Sequence, residues 1–149
     1  MDSVSEARFN SVSSIAAAYG LDTALVCALV EQESNWNPWA VRYEPAFFDH
    51  YIRPLLNNGT VKTMTEATCR AISWGLMQVM GQVAREMEFI GPFLSELCDT
   101  DKGLDMGCRV LKLKLDAAGG DTHNGLQLYN GGGDPNYAAE VMARMSKYQ

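Results

Sequence analysis

The amino-acid sequence predicts a compact, mainly helical domain with little or no β-sheet. The chain has 149 residues, 47% of them apolar and 20% charged, which is the balance of a globular chain, and a chain of this size buries about 70% of its unfolded surface. Apolar positions recur mostly at helical spacing, and glycines and prolines punctuate the chain where helices should end. No repeat, low-complexity tract or Pro/Ser-rich linker divides the sequence, so residues 1–149 read as one domain.

The elements follow in order. A first helix is expected from Glu6 to Tyr19, stopped by Gly20, because glycine takes the left-handed conformation that ends helices. Asp22 is positioned to cap a second helix by accepting from the orphan amides of its first turn. That helix runs from Ala24 to Glu33 and must end before Pro38. From Trp36 to Asn58 the chain is aromatic, contains Pro45 and Pro54, and closes on Asn57-Asn58-Gly59, so irregular or broken helix over a groove is expected. A small hairpin around Gly59 to Thr63 stays open, while Thr63-Met64-Thr65-Glu66 has the spacing of a capping box and opens a short helix. Further helices are expected from Gly75 to Phe89 and from Leu104 to Leu115, the latter ended by Gly119-Gly120. Asp121 or Thr122 caps a short helix to Tyr129, and Asp134 with Pro135 at the first helical position announces the last one.

Charge and composition exclude several functions. The chain carries 12 basic and 18 acidic residues, a net charge of −6, and no run of Lys or Arg forms the basic footprint that nucleic-acid binding needs. No apolar stretch approaches the roughly 18 residues of a membrane span, and Met1-Asp2-Ser3-Val4-Ser5-Glu6 is acidic where an export signal is basic. The reading is therefore a protein made in the cytoplasm without a signal peptide. Cys27, Cys69, Cys98 and Cys108 are spaced as small buried hydrophobes and not as a disulfide framework or zinc knuckles; the one bridge considered is Cys98–Cys108, in an oxidising compartment. His50 and His123 have no acidic or cysteine partner at ligand spacing, so no metal site or Ser/His/Asp triad is expected, and no cofactor.

One carboxylate stands out. On the second helix Val26, Leu29 and Val30 form an apolar stripe that Glu33 continues. Glu31 lies about 200° round the helix from it and should face solvent. Burial disfavours the ionised form, so Glu33 is expected to have a raised pKa and to hold a proton near neutral pH, as a general acid must. The competing assignment is a structural carboxylate at a helix end, paired with Arg42. Two further motifs weigh against it. Gly75-Leu76-Met77-Gln78 couples a glycine that permits close backbone approach to an amide that both donates and accepts. Leu128-Tyr129-Asn130-Gly131-Gly132-Gly133 delivers an aromatic ring and an amide into a glycine loop, and ring faces and amides suit sugars.

Glu33-Ser34, Gly75-Leu76-Met77-Gln78, Tyr129-Asn130-Gly131-Gly132 and Tyr137-Ala138-Ala139-Glu140-Val141 occur in the order and rough spacing of a known family. From about Leu21 to Tyr148 the chain resembles a soluble lytic transglycosylase with a lysozyme-like, α+β domain and a substrate cleft. The resemblance implies that Glu33 is the single catalytic acid/base, acting on the bond between N-acetylmuramic acid and N-acetylglucosamine of peptidoglycan and leaving a 1,6-anhydro ring. It also implies that Ser34 orients Glu33 or contacts substrate, that Met77 and Gln78 line the cleft, that Tyr129 and Asn130 bind sugar, and that Tyr137 reaches back toward the acid. The sequence departs from the family at Ile72-Ser73-Trp74, where a small pair is usual, at Leu128, where alanine is usual, and in a longer insert between Pro38 and Ala71. Such inserts are similar to those of phage-type members, which implies a lysis enzyme or a virion-associated wall enzyme, a monomer released by a holin or carried on a particle.

Hydrolysis by a muramidase is the alternative reaction, and it normally needs a second carboxyl. Glu44, Asp49 and Asp134 are the candidates. A non-catalytic wall-binding virion module is the alternative of a different class.

Overall fold

A computed structural model describes residues 3–149. Helix α1 spans Ser3–Ala18, and Gly20, with φ of 66°, turns the chain into α2, Thr23–Ser34. Asp22 caps α2 through a 2.8 Å bond from the Ala24 amide. Every residue of α2 from Ala24 to Val30 is buried, so the helix is enclosed all round and does not carry a single apolar stripe. It packs against α1, against α9 (Tyr137–Arg144) and against the short 3-10 turn Met145–Tyr148 that follows α9. Asn35 and Trp36, with φ of 49° and 64°, end it ahead of Pro38.

The middle of the chain differs from the sequence reading. Three short strands, β1 (Val41–Tyr43), β2 (Ile72–Trp74) and β3 (Val79–Met80), form an antiparallel sheet in the order β1-β2-β3. Arg42 faces Ser73 across the first pair and Ser73 faces Met80 across the second. The helix expected from Gly75 to Phe89 is therefore replaced by a turn, a strand and a six-residue helix, α6 (Gly81–Glu86). Gly75 at φ 72° and Gln78 at φ 49° cannot lie inside a right-handed helix. A Cβ at Gly75 would stand 2.4 Å from the Leu97 carbonyl oxygen, so only glycine lets the turn settle against that segment.

Between β1 and β2 the insert folds as broken helix, as expected: α3 (Pro45–Phe47), a π turn over Phe48–Ile52, α4 (Arg53–Asn57) and α5 (Met64–Arg70). It closes round a small core of its own, Phe48, Ile52, Val61, Ala67 and Ala71. No hairpin forms at Gly59 to Thr63. Instead Thr63 Oγ1 accepts from the Glu66 amide at 3.1 Å and starts α5, while the Glu66 carboxylate turns away to Arg70 and Arg85 at 3.0 and 2.7 Å, tying α5 to α6.

Helix α7 (Thr100–Ala117) begins four residues before the expected Leu104, because Asp99 caps it on the Lys102 amide at 3.0 Å. Asp121 caps α8 (Thr122–Asn130) on the Asn124 amide at 2.7 Å. The last helix starts at Tyr137 and not at Pro135: Asp134 Oδ1 accepts from the Asn136 amide at 2.9 Å and forms a turn ahead of α9. All four cysteines are free thiols, three of them buried and Cys69 half-buried. Burial pushes the thiols of Cys27 and Cys108 up to about 12. His50 and His123 are both exposed.

Candidate active site

A cleft of about 410 Å³ opens between the sheet and helices α7 and α8, with Glu33 in its wall. Glu33 stands in the last turn of α2 and is half-buried. Tyr137, 4% exposed at the start of α9, donates its hydroxyl to Glu33 Oε1. Among the described residues Glu33 Oε2 has no protein partner. Burial pushes the Glu33 pKa above its ordinary value of 4.5, and this outweighs the Tyr137 hydrogen bond and the positive charge of Arg42, which both act downward. The raised pKa expected from sequence is therefore present, but its surroundings are α9 and the cleft wall and not an extended apolar stripe.

Arg42 does not pair with Glu33. Its Nε donates to Glu44 at 2.5 Å. Glu31 does not face solvent as expected: its side chain is only 16% exposed, because Lys147 and Tyr148 fold over it with bonds of 2.5 and 2.6 Å. Those two bonds hold its carboxyl below the usual carboxylate range. Two glutamates two residues apart thus have opposite shifts, one raised by burial and one lowered by a cation and a phenol bound to it.

The turn Gly75–Gln78 is the hub of the site. Ser34 Oγ lies 2.8 Å from the Leu76 carbonyl and 3.1 Å from the Val30 carbonyl, so the residue after the acid fastens α2 to the turn. Tyr129 Oη donates to the Met77 carbonyl at 2.6 Å and fastens α8 to it. Gln78 Nε2 donates to the carbonyls of Ala40 and Gly75 at 2.9 and 3.0 Å, and the Gly75 amide donates to Ala40 at 2.8 Å, joining the turn to β1.

Of the residues expected at the site, Glu33, Gln78, Tyr129 and Asn130 line the cleft together. Ser34, Met77 and Tyr137 do not. Ser34 is occupied by backbone carbonyls, and Tyr137 stands behind the Glu33 carboxyl and is hydrogen-bonded to it. The Met77 side chain is fully buried, packed where a Cβ on Gly107 would come within 2.3 Å of its sulfur; α7 carries a glycine there to make room. Asn130, with its amide turned to satisfy the loop, accepts from Gly133 and Asp134 at 3.3 and 3.0 Å.

Gln127 has no part in the sequence reading, yet it holds the loop on the helix. Its Nε2 donates to the Asp134 carbonyl at 3.1 Å and its Oε1 accepts from Ala138 at 2.8 Å. Its place three residues before Asn130 on α8 is the one signal that it faces the same loop. Lys114, Ser73 and Phe47 also line the cleft without any sequence motif to mark them. Among the three candidate second carboxyls, Glu44 is in the cleft, whereas Asp49 is bound to Arg53 at 2.5 Å on the insert and Asp134 is in the turn before α9.

A mainly helical body, a small sheet and a half-buried carboxyl of raised pKa in an open cleft are the features of a lysozyme-like enzyme acting on glycosidic bonds. The family model for the transglycosylase SLT domain matches residues 10–147, and the chain belongs to that family, the peptidoglycan lytic transglycosylases, which are glycosidic-bond lyases. Neither the curated proteins nor the solved structures contain a significant match. Among the described residues no cluster of potential metal ligands exists, and no helix is long and apolar enough to cross a membrane.

Proposed function

We propose that Glu33 is the single acid/base of a reaction that cleaves the β-1,4 bond between N-acetylmuramic acid and N-acetylglucosamine. The observation that carries the reading is the half-buried Glu33 carboxyl, raised in pKa and held by Tyr137 on one oxygen, with the other oxygen free. Glu33 protonates the glycosidic oxygen of the leaving sugar. The muramic acetamido group stabilises the oxocarbenium-like centre, Glu33 then takes the proton of the C6 hydroxyl, and O6 closes the 1,6-anhydro ring. No water is consumed and no cofactor is needed. Gln78, Tyr129 and Asn130 bind the sugars, and the apolar Leu128 and Val83 offer faces to the rings.

The test is loss of turbidity of purified cell walls with wild type and Glu33→Gln. Abolished clearance with an unchanged circular dichroism spectrum is expected; equal clearance removes Glu33 from the chemistry, and no clearance by either protein favours a non-catalytic wall-binding module.

Hydrolysis is a second reading, because Glu44 shares the cleft with Glu33 and is fixed there by Arg42. Product mass decides: anhydro ends support the lyase, and reducing muramic ends the hydrolase. For the biological setting we propose a monomeric, one-domain lysis or virion enzyme, reaching the wall through a holin or on a particle. The insert between Pro38 and Ala71 supports it. Detection of the protein in purified virions separates the particle route from release at lysis.

A further inference from the structure

The cleft contains a cation without a counter-ion. Lys114 is on the last turns of α7, half-buried in the cleft lining beside Val110 of the preceding turn. Its neighbour Lys112 pairs with Asp116 at 2.6 Å on the exposed side of the same helix, and Arg42 across the cleft is matched by Glu44. Lys114 has no ion pair or side-chain hydrogen bond among the described residues. A lysine near a helix C-terminus is favoured by the helix dipole, but that leaves its three N–H donors unused. Those donors face the cleft and are available to an acceptor that enters it.

The charges of the site point the same way. The chain as a whole is acidic, at −6, yet the cleft-lining ionisable groups are Glu33, Arg42, Glu44 and Lys114. Arg42 and Glu44 are paired with each other, and Glu33 is hydrogen-bonded to Tyr137, so Lys114 is the cleft charge with no fixed partner among the described residues. A neutral glycan gives no reason for it. Peptidoglycan does, because each muramic residue bears a lactyl ether that ends in a carboxylate or continues into a stem peptide with carboxylates of its own.

We propose that Lys114 is a specificity-determining residue that binds a carboxylate carried on the lactyl arm of muramic acid. The inference rests on the reading of the cleft as a peptidoglycan site. An acceptor at Nζ forms a charge-assisted hydrogen bond, so the enzyme separates muramyl glycans from uncharged chitin-type glycans of the same backbone.

Binding is measured by titration calorimetry on E33Q and on E33Q/K114M. The ligands are glycan strands stripped of peptide, strands retaining stem peptides, and an uncharged N-acetylglucosamine oligomer. Removal of Lys114 is expected to weaken binding of at least one anionic strand by about tenfold and to leave the uncharged oligomer unchanged, with E33Q/K114R restoring affinity. A loss on stripped strands identifies the lactyl carboxylate, and a loss confined to peptide-bearing strands identifies a stem-peptide carboxylate. Equal affinities on every ligand, or an equal loss on charged and uncharged ones, overturn the proposal. Because these are binding measurements, they stay readable if clearance assays show that Glu33 is not the acid.

Discussion

The phenol of Tyr137 and the carboxyl of Glu33 are hydrogen-bonded across the junction of α9 and α2, 104 residues apart in sequence. The bond fixes one carboxyl oxygen while burial keeps the group protonatable. Burial and the adjacent carboxylate in turn push the Tyr137 hydroxyl far above its ordinary value, so it remains a donor at every working pH.

Replacing Tyr137 by phenylalanine removes a donor that favours ionised Glu33 and leaves the burial in place. The Glu33 pKa rises further, and the alkaline limb of the pH–rate profile moves upward. Because the carboxyl loses its orientation, kcat falls by about one order of magnitude or more, from the roughly 1.5–3 kcal/mol of a hydrogen bond to a charged group. A pH–rate profile of Tyr137→Phe identical to that of wild type would remove the residue from the positioning of the acid.

Glu33→Gln changes stability in a pH-dependent way. The folded-state pKa is raised above the ordinary 4.5, so the carboxyl favours the folded state fully at low pH and loses that contribution as pH rises through the folded value. Glutamine has no such loss. Thermal melts should therefore give a Tm difference, variant minus wild type, that grows from pH 4 upward and levels off above the folded pKa. A difference independent of pH contradicts the shift.

Gly75→Ala places a methyl 2.4 Å from the Leu97 carbonyl oxygen and forces alanine to φ 72°. The left-handed backbone alone costs about 1–2 kcal/mol, and the clash adds to it. Chemical denaturation should show a loss above 2 kcal/mol, and clearance should fall even where the variant folds, because Ser34, Gln78 and Tyr129 all anchor on this turn. Gly131→Ala is the control: it has open space round its Cβ and should show only the backbone cost.

Glu66 stabilises by the opposite linkage. Burial pulls its pKa up, but the bonds and charges of Arg85 and Arg70 outweigh that and hold it below 4.5. Its contribution is present above the ordinary value and is lost as pH falls through the lower folded one. Glu66→Gln should lower Tm at pH 7 and flatten the decline of Tm below pH 4.5. An acid limb unchanged in slope would show that the α5–α6 ion pairs do not contribute.

Much of the site was legible because its residues act through local chemistry. Asp22, Asp99 and Asp121 are short acceptors ahead of apolar helices, and all three cap, although Asp99 escaped the sequence reading and α7 was expected four residues late. Glu33 was singled out by its place after Val26, Leu29 and Val30, although α2 is buried all round and not along one stripe. The Gly75–Gln78 segment was misread as helix, because Leu76 and Met77 suit a helix interior. What excludes the helix is contact of Gly75 with Leu97, twenty-two residues away, and that contact has no local signature. Ser34 and Met77 were expected at the substrate, and packing turns both inward.

By itself the sequence determined the helical class, the caps and glycine stops, the raised pKa of Glu33, and the order of motifs that marks the family, since each depends on residues within a turn or two of one another. Only the tertiary structure decided the sheet, the enclosure of α2, the capture of Glu31 by Lys147 and Tyr148, the pairing of Arg42 with Glu44, and the exposure of an unpaired Lys114 to the cleft. Those outcomes depend on which side chains from distant segments share one volume, and a carboxyl's charge state is set by that volume's polarity and neighbours.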